Sequence, residues 1–387
     1  MSARAAVTPV GILPHAEKIA WLRLSRTENI GPVTFYQMMA ACGTASAALD
    51  ALPEIAARSQ RKKPFIIPPV ATAEREYEAL TRAGGTLIAA CEDAYPLALS
   101  ALEDAPPLLS VLGNPRFLNA PCVAIVGSRN ASLNGRRFAE ALARDLGRAD
   151  HVVVSGLARG IDTAAHIGAL ETGTIAVVAG GIDVVYPPEN QKLYDEIRER
   201  GAIIAESPFG QQPFAQSFPR RNRIVSGLSA GVVVVEASQK SGSLITARNA
   251  GEQGRDVYAV PGHPLDPRAA GPNHLIREGA TLVRDAADIL ESLRDFSGGM
   301  RDGAWQRYTQ QSETVDFGNV TILDNGQARA MLADNIGFTP VPVDDLIRAC
   351  AIPAGQVQGT LLDMELSGEI LRLPGNRVVR LGEKTPV

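Results

Sequence analysis

Val152-Val153-Val154-Ser155-Gly156-Leu157-Ala158-Arg159-Gly160-Ile161-Asp162 sets the pattern for the middle of the chain. Three β-branched residues in succession, with no polar alternation, suit a strand covered on both faces. The glycines that follow allow a tight turn. Asp162 then stands as an N-cap for a helix that holds Ala164, Ala165 and His166. The same strand character recurs at Leu87-Ile88, Leu108 to Leu112, Val123 to Val126, Ile175 to Val178 and Ile203-Ile204. It returns at Val232 to Val235, Val257 to Val260 and Leu282-Val283. Helical patterns fall between, as in Arg136 to Leu146, Ala164 to Leu170 and Leu193 to Arg200. This alternation predicts an α/β domain with a doubly wound parallel sheet over 80–296.

The flanks read differently. Residues 15–75 hold short amphipathic helices, Glu17 to Leu24 and Val33 to Ala41, joined by the turn Glu28-Asn29-Ile30-Gly31-Pro32. The turn resembles those of SAM-like and helix-hairpin-helix modules; packing is favoured there over DNA contact. Arg61-Lys62-Lys63-Pro64 and Pro68-Pro69 read as a linker, as does 297–322, which lacks periodicity. In 323–387, helix patterns at Val343 to Cys350 and Gln356 to Leu366 precede a hairpin turned at Pro374-Gly375-Asn376. Helix, turn, helix and two-stranded wing is the winged-helix order.

Bulk composition narrows the function classes. A chain of 387 residues with 45% hydrophobic and 21% charged content is an ordinary globular protein of two or three domains. Cys42, Cys91, Cys122 and Cys350 show no C-x-x-C spacing, so no zinc site or disulfide framework is indicated, and a reducing cytoplasm is expected. No apolar run approaches the roughly 18 residues of a membrane span, and the N-terminus shows no signal-peptide pattern. The net charge of −4 means that any nucleic-acid binding must use a local patch.

Such a patch is visible at the strand ends, where ligands of open α/β sheets bind. Val123 to Val126 runs into Gly127-Ser128-Arg129-Asn130, and the strand at Val152 runs into Gly156 to Gly160 with Arg159. Val232 to Val235 runs into Glu236 and then Ser241-Gly242-Ser243. Phe218-Pro219-Arg220-Arg221-Asn222-Arg223-Ile224 adds three arginines in four positions at the start of a helix. Backbone N–H groups, hydroxyls and fixed positive charge together suit phosphate. Any one of these turns alone is equally a solvated loop; their number favours an anion-binding groove. No G-x-x-x-x-G-K-[ST] or G-x-G-x-x-G is present, so no nucleotide cofactor is expected. Asp162 and His166 lie on one helical face without a nucleophile, which favours capping and packing over acid–base work. Glu206 and Glu236 end strands and are expected to hold arginines. Phe214 and Phe218 flank the basic stretch and offer rings for stacking on a base, although packing is the favoured role of Phe218.

In this order the turns resemble one family. Val123 to Arg129, Ser155 to Asp162 with His166, Tyr186-Pro187-Pro188-Glu189-Asn190, Phe218 to Ile224 and Ser241 to Thr246 precede Val260-Pro261-Gly262 and Asn273 to Ala280. The series is similar to the bacterial DNA processing protein A (DprA/Smf) family. The resemblance implies an extended Rossmann-like sheet domain, single-stranded DNA binding without catalytic turnover, a homodimer, and loading of the RecA recombinase during natural transformation. The DNA-binding candidates carried over are Ser128, Arg129, Gly156, Arg159, Gly160, Arg221, Asn222, Arg223, Ser241 and Gly242, with Arg220 weighted less. Leu275 and Ile276 are candidates for the dimer surface or for core. Pro188 stands where some members carry a basic residue.

The acidic second helix of the winged unit, with Asp363 and Glu365 and no basic residue, opposes groove reading and points to a protein-contact or regulatory role. Wing residues Arg372, Arg377 and Arg380 remain candidates for backbone contact. The competing reading is a Rossmann-like nucleoside-monophosphate phosphoribohydrolase. Ala179-Gly180-Gly181-Ile182-Asp183 lacks the proline, third glycine and threonine of that family's P-G-G-x-G-T stretch.

Overall fold

Strands with no polar face must be covered on both sides, and the sheet obeys. A computed structural model describes residues 11–58, 65–300, 325–337, 340–350, 352–373 and 375–381. Its strands are β1 (Thr86–Ala89), β2 (Leu108–Gly113), β3 (Cys122–Val126), β4 (Val152–Ser155), β5 (Thr174–Val178), β6 (Ala202–Ala205), β7 (Gly231–Val234), β8 (Asp256–Ala259) and β9 (Thr281–Leu282). They form one sheet in the order β1-β2-β6-β5-β4-β3-β7-β8-β9. From β6 to β9 all pairs are parallel, with Val123 opposite Val153 and Ala124 opposite Val232. The order reverses at β3, which lies between β4 and β7, the kind of switch point at which α/β sheets open a crevice.

The sheet is not parallel throughout, as the pattern alone suggests. β1 pairs with β2 and β2 with β6 in antiparallel fashion. The chain between β1 and β2 carries only α5 (Leu97–Ser100), which follows α1 (His15–Ser25), α2 (Pro32–Cys42), α3 (Ala45–Arg58) and α4 (Val70–Arg82). A four-residue helix does not provide the long crossover that parallel neighbours need, so β2 returns beside β1 as a hairpin partner.

The helices that follow are α6 (Leu133–Arg148), α7 (Ile161–Ala169), α8 (Gln191–Arg200), α9 (Ser217–Leu228), α10 (Ser243–Glu252), α11 (Ala270–Arg277) and α12 (Ala286–Met300). Leu142 and Leu146 of α6 and Ile161 and Ala165 of α7 meet Val123, Ile125, Val153 and Val233 in one buried cluster. Each fully buried Leu, Ile or Val side chain there contributes on the order of 1.5–3 kcal/mol. The core therefore fixes the strand ends from which the site is built.

The chain divides into two compact units, one formed by Thr8–Leu22 with Pro69–Ala304 and the other containing Arg23–Pro68 and Trp305–Val387. In the sheet unit, Lys18 lies 2.7 Å from Glu92, whose two oxygens also accept from the amides of Leu13 and Ala89. In the other unit, the turn before α2 closes with Thr27 N donating to Leu24 O and Ile30 N to Thr27 O. Those amides serve the turn itself.

The winged unit comprises α13 (Asn325–Asn335), β10 (Val341–Pro342), α14 (Val343–Cys350), α15 (Ala354–Leu366), β11 (Ile370–Leu373) and β12 (Arg377–Arg380). Its sheet is three-stranded, β10-β12-β11, one strand more than the pattern announces. Val343, Leu346, Val357, Leu361, Met364 and Val378 form its core. Arg372 pairs with Glu365 at 3.4 Å and bonds Gln358 at 3.0 Å, so that wing arginine is tied to α15. The Arg61 to Pro64 stretch and residues 301–322 of the expected linker lie outside the described residues, whereas 297–300 complete α12.

Candidate nucleic-acid interface

Five loops leave the carboxyl ends of β3 to β7 and meet along one edge of the sheet. Each is fixed by backbone contacts. Ser128 O accepts the Ile161 amide at 3.2 Å, which joins the loop after β3 to the start of α7. Gly160 adopts φ +79, and a Cβ there would overlap the Ser128 carbonyl, so only glycine lets these loops touch. Ser132 caps α6 by accepting from Gly135 N at 2.9 Å. Glu236, at the end of β7, takes the Ser132 amide at 2.8 Å and its hydroxyl at 2.5 Å. Glu236 thus holds a helix cap, where the sequence suggests an arginine.

Asp162 also departs from expectation. The N-cap of α7 is Gly160, and Asp162 lies inside the first turn. Its Oδ2 reaches back to the amides of Gly156 at 3.1 Å and Ala158 at 3.3 Å. These strand-end amides are therefore filled by the protein's own carboxylate. Burial raises the Asp162 pKa, opposed by the nearby Arg221 charge and the two amides.

The three arginines of the basic stretch part company. They do sit in the first turns of α9, but a helix turns about 100° per residue, so neighbours face different ways. Arg220 is exposed. Arg221 is 6% exposed, and its Nη1 donates to the carbonyls of Gly156 and Val177. Burial lowers its pKa to about 10, with Asp162 working the other way. A Cβ at Gly156 would overlap this guanidinium. Sequence spacing puts Gly156 and Arg221 on the groove surface; the structure buries both, as the strut and socket of the turn after β4. Arg223, with a side chain 14% exposed, bonds Glu206 at 2.6 Å and Asp104 O at 2.6 Å. The expectation that Glu206 holds an arginine is met there.

The remaining candidates lie at or near the surface. Arg129 is exposed, with its Cζ 5.1 Å from the centroid of the half-buried Phe218 ring. Cation–π contact of this kind orients a guanidinium at little entropic cost. Arg159, 61% exposed, is bridged by Glu189, itself 59% exposed. Asn222 Nδ2 donates to Gly242 O at 3.3 Å and so ties α9 to the loop after β7. Gly242 is exposed at the start of α10, Ser241 is half-buried with its Oγ 2.7 Å from Ser243 Oγ, and Lys240 stands exposed beside them. Ser128 is half-buried and its Oγ accepts from Asn130 N at 3.1 Å.

Sequence reasoning passes over Lys240, Glu189 and Tyr186. Lys240 adjoins a quoted motif and was open to the same electrostatic argument. Glu189 and Tyr186 lie inside the quoted Tyr186 to Asn190 stretch, but their placement depends on the anchoring of Asn190, whose Nδ2 donates to Leu157 O at 2.8 Å. Leu275 and Ile276 on α11 are each half-buried.

His166 is fully buried, with Nδ1 2.8 Å from Thr174 Oγ1. Thr174 Oγ1 gives its proton to Val153 O at 2.7 Å, so the imidazole must donate from Nδ1. Nε2 has no hydrogen-bond partner, and burial, followed by the Arg221 charge, drives the pKa down to about 3. A neutral, immobile imidazole behind the sheet edge suits packing.

Comparisons with known proteins extend over all three parts of the chain. The family model for DNA recombination-mediator protein A matches residues 86–294. A DprA-like N-terminal HHH domain matches 15–79 and a DprA winged helix domain 323–376. The chain is 49% identical over 201 residues to DNA processing protein DprA of Streptococcus pneumoniae, covering 51% of this chain and 71% of that protein. It is 38% identical over 298 residues to protein Smf of Escherichia coli, 76% of each. Among solved structures, DprA from Streptococcus pneumoniae aligns with a TM-score of 0.56 and 38% identity over 67% of this chain and 86% of that one. DNA processing protein A from Helicobacter pylori, described with its single-stranded-DNA binding mode, aligns at 0.51 and 31% over 55% and 96%. The chain belongs to the DNA recombination-mediator protein A (DprA/Smf) family.

Proposed function

We propose that the carboxyl edge of the sheet binds the backbone of single-stranded DNA and that the bound strand is passed to the RecA recombinase, in the cytoplasm and without catalytic turnover. The observation that carries this is that exposed Arg129, Arg159 and Lys240, on the loops after β3, β4 and β7, and exposed Arg220, at the start of α9, all follow carboxyl ends of strands on one edge of the sheet, in a chain whose net charge is −4. Such a stripe suits repeated phosphates better than a single small anion. Arg129, Arg159, Asn222, Ser128, Ser241, Gly160 and Gly242 act at the surface in this reading, while Gly156, Arg221 and Arg223 hold the loops that present them. The H. pylori relative's single-strand binding supports it. A homodimer through the α11 face, with Leu275 and Ile276, completes the proposal.

The phosphoribohydrolase reading needs an open Gly-rich turn at 179–183. Gly181 N instead donates to Gln211 O at 2.8 Å, and side chains at Gly180 and Gly181 would meet Gln211 O and Pro208 O. That turn is roofed by the chain after β6. The test is binding of single-stranded against duplex DNA over a salt series, with Arg129→Ala beside wild type. Preference for the single strand, lost with salt and weakened by Arg129→Ala, is expected. Equal affinity for duplex, or an indifferent Arg129→Ala, would overturn the assignment.

A further inference from the structure

A single-strand site pairs phosphate contacts with a surface for the bases. Aromatic side chains are 5% of this chain, so the rings near the edge can be weighed one by one. Phe218 is already engaged. Arg129 lies over its ring at 5.1 Å, and the Tyr186 ring packs against it at 5.6 Å between centroids with a 54° tilt. Tyr186 itself is 49% exposed, on the loop that leaves β5. That loop is held from both sides. Gly181 N is bound to Gln211 O, and Asn190 Nδ2 to Leu157 O and, at 3.1 Å, to Thr163 Oγ1. Pro187 is buried next to the tyrosine.

An exposed aromatic ring on a fixed loop, backed by a second ring and one residue removed from a phosphate-seeking arginine, is a pre-organised stacking surface. We propose that Tyr186 is a nucleobase platform, and that Phe218 is the wedge that holds Tyr186 and Arg129 in a fixed relation, so that one base and its neighbouring phosphate are received together. This rests on the single-strand reading above. Stacking is blind to base identity and releases no counterions, so the platform adds affinity without sequence preference and without steepening the salt dependence. Tyr186 is exposed whereas Phe218 is half-buried, so Tyr186 is the ring presented to solvent. Phe214, 45% exposed on the chain after β6, is the competing ring.

The experiment uses the full chain and two fluorescent probes of equal length, oligo-thymidine and an abasic oligomer with the same phosphates. Wild type is expected to bind the thymidine probe more tightly, and Tyr186→Ala to lower that preference by roughly 10-fold while leaving the salt slope unchanged. Tyr186→Phe and Tyr186→Trp should retain it, and in Tyr186→Trp the indole fluorescence should be quenched by the thymidine probe only. Arg129→Ala should weaken both probes. A wild-type preference in Tyr186→Ala, or its loss in Phe214→Ala alone, would overturn the platform with the groove still standing. Failure of wild type to bind either probe would overturn the groove and the platform with it.

Discussion

Arg221→Ala separates an arginine that holds the site from one proposed to touch the ligand. The side chain is buried, and its Nη1 bridges Gly156 O on the loop after β4 to Val177 O on β5. Truncation removes two charge-assisted bonds, each worth about 1.5–3 kcal/mol. It also strips the buried Asp162 of its positive neighbour, although Asp162 keeps the amides of Gly156 and Ala158. Breaking one side of such a buried arrangement costs about 3–5 kcal/mol. For a domain of this size that is a melting transition lowered by roughly 10 °C. Arg129→Ala removes an exposed side chain and one cation–π contact, worth about 0.5–1 kcal/mol, so its melting point should stay close to wild type while its DNA affinity falls. Calorimetry of the sheet domain and fluorescence anisotropy on one oligonucleotide read both quantities. Below its own transition, Arg221→Ala should keep the wild-type salt slope. An Arg221→Ala protein that melts with wild type yet fails to bind would refute the strut assignment and return Arg221 to the groove surface.

The buried imidazole gives a pH signature: the His166 pKa is depressed from 6.5 to about 3, so its contribution is fully present above 6.5 and lost as pH falls towards 3. Chemical denaturation over that window should lose up to about 1.4 kcal/mol per pH unit relative to a flatter His166→Gln. Glu189→Gln frees Arg159 for phosphate; single-strand affinity should rise about 2- to 5-fold at low salt, the range of an exposed ion pair, and an unchanged affinity would remove Arg159 from the contact set. With Arg129, Arg220, Lys240 and, after release from Glu189, Arg159 as phosphate partners, log affinity against log salt should fall with a slope of about −2 to −3 per bound protomer. A slope near zero would leave the stripe without phosphates.

The strands along the chain and the turns that follow them were legible because continuous apolar runs and glycine turns are local signals. What failed was non-local. Arg220, Arg221 and Arg223 look alike in sequence, yet one meets solvent, one meets a carbonyl of the loop after β4 and one of β5, and one meets Glu206 together with Asp104, 119 residues away. Asp162 reads as an N-cap because its position before a helical run is right; its reach back to Gly156 and Ala158 depends on how sharply the turn folds. The antiparallel edge escaped because β2 is as apolar as the parallel strands, and strand polarity leaves no mark on composition.

These misplacements share a cause that bears on how the edge works. A flexible arginine in water loses side-chain entropy when it binds phosphate, and loops that must first be ordered add to that cost. Here Asp162, Arg221, Glu236 and Glu206 use up charge and hydrogen-bonding capacity inside the protein, and in return the five loops are held before any ligand arrives. Arg129 is steadied on Phe218, and Arg159 is steadied on Glu189, which in the proposed reading a phosphate displaces. The first arrangement lowers the cost of binding; the second subtracts from its gain. In the proposed reading, the Arg159–Glu189 pair suits a protein that hands a strand onward more than one that only retains it, because a ligand held by such a competed contact is released more readily.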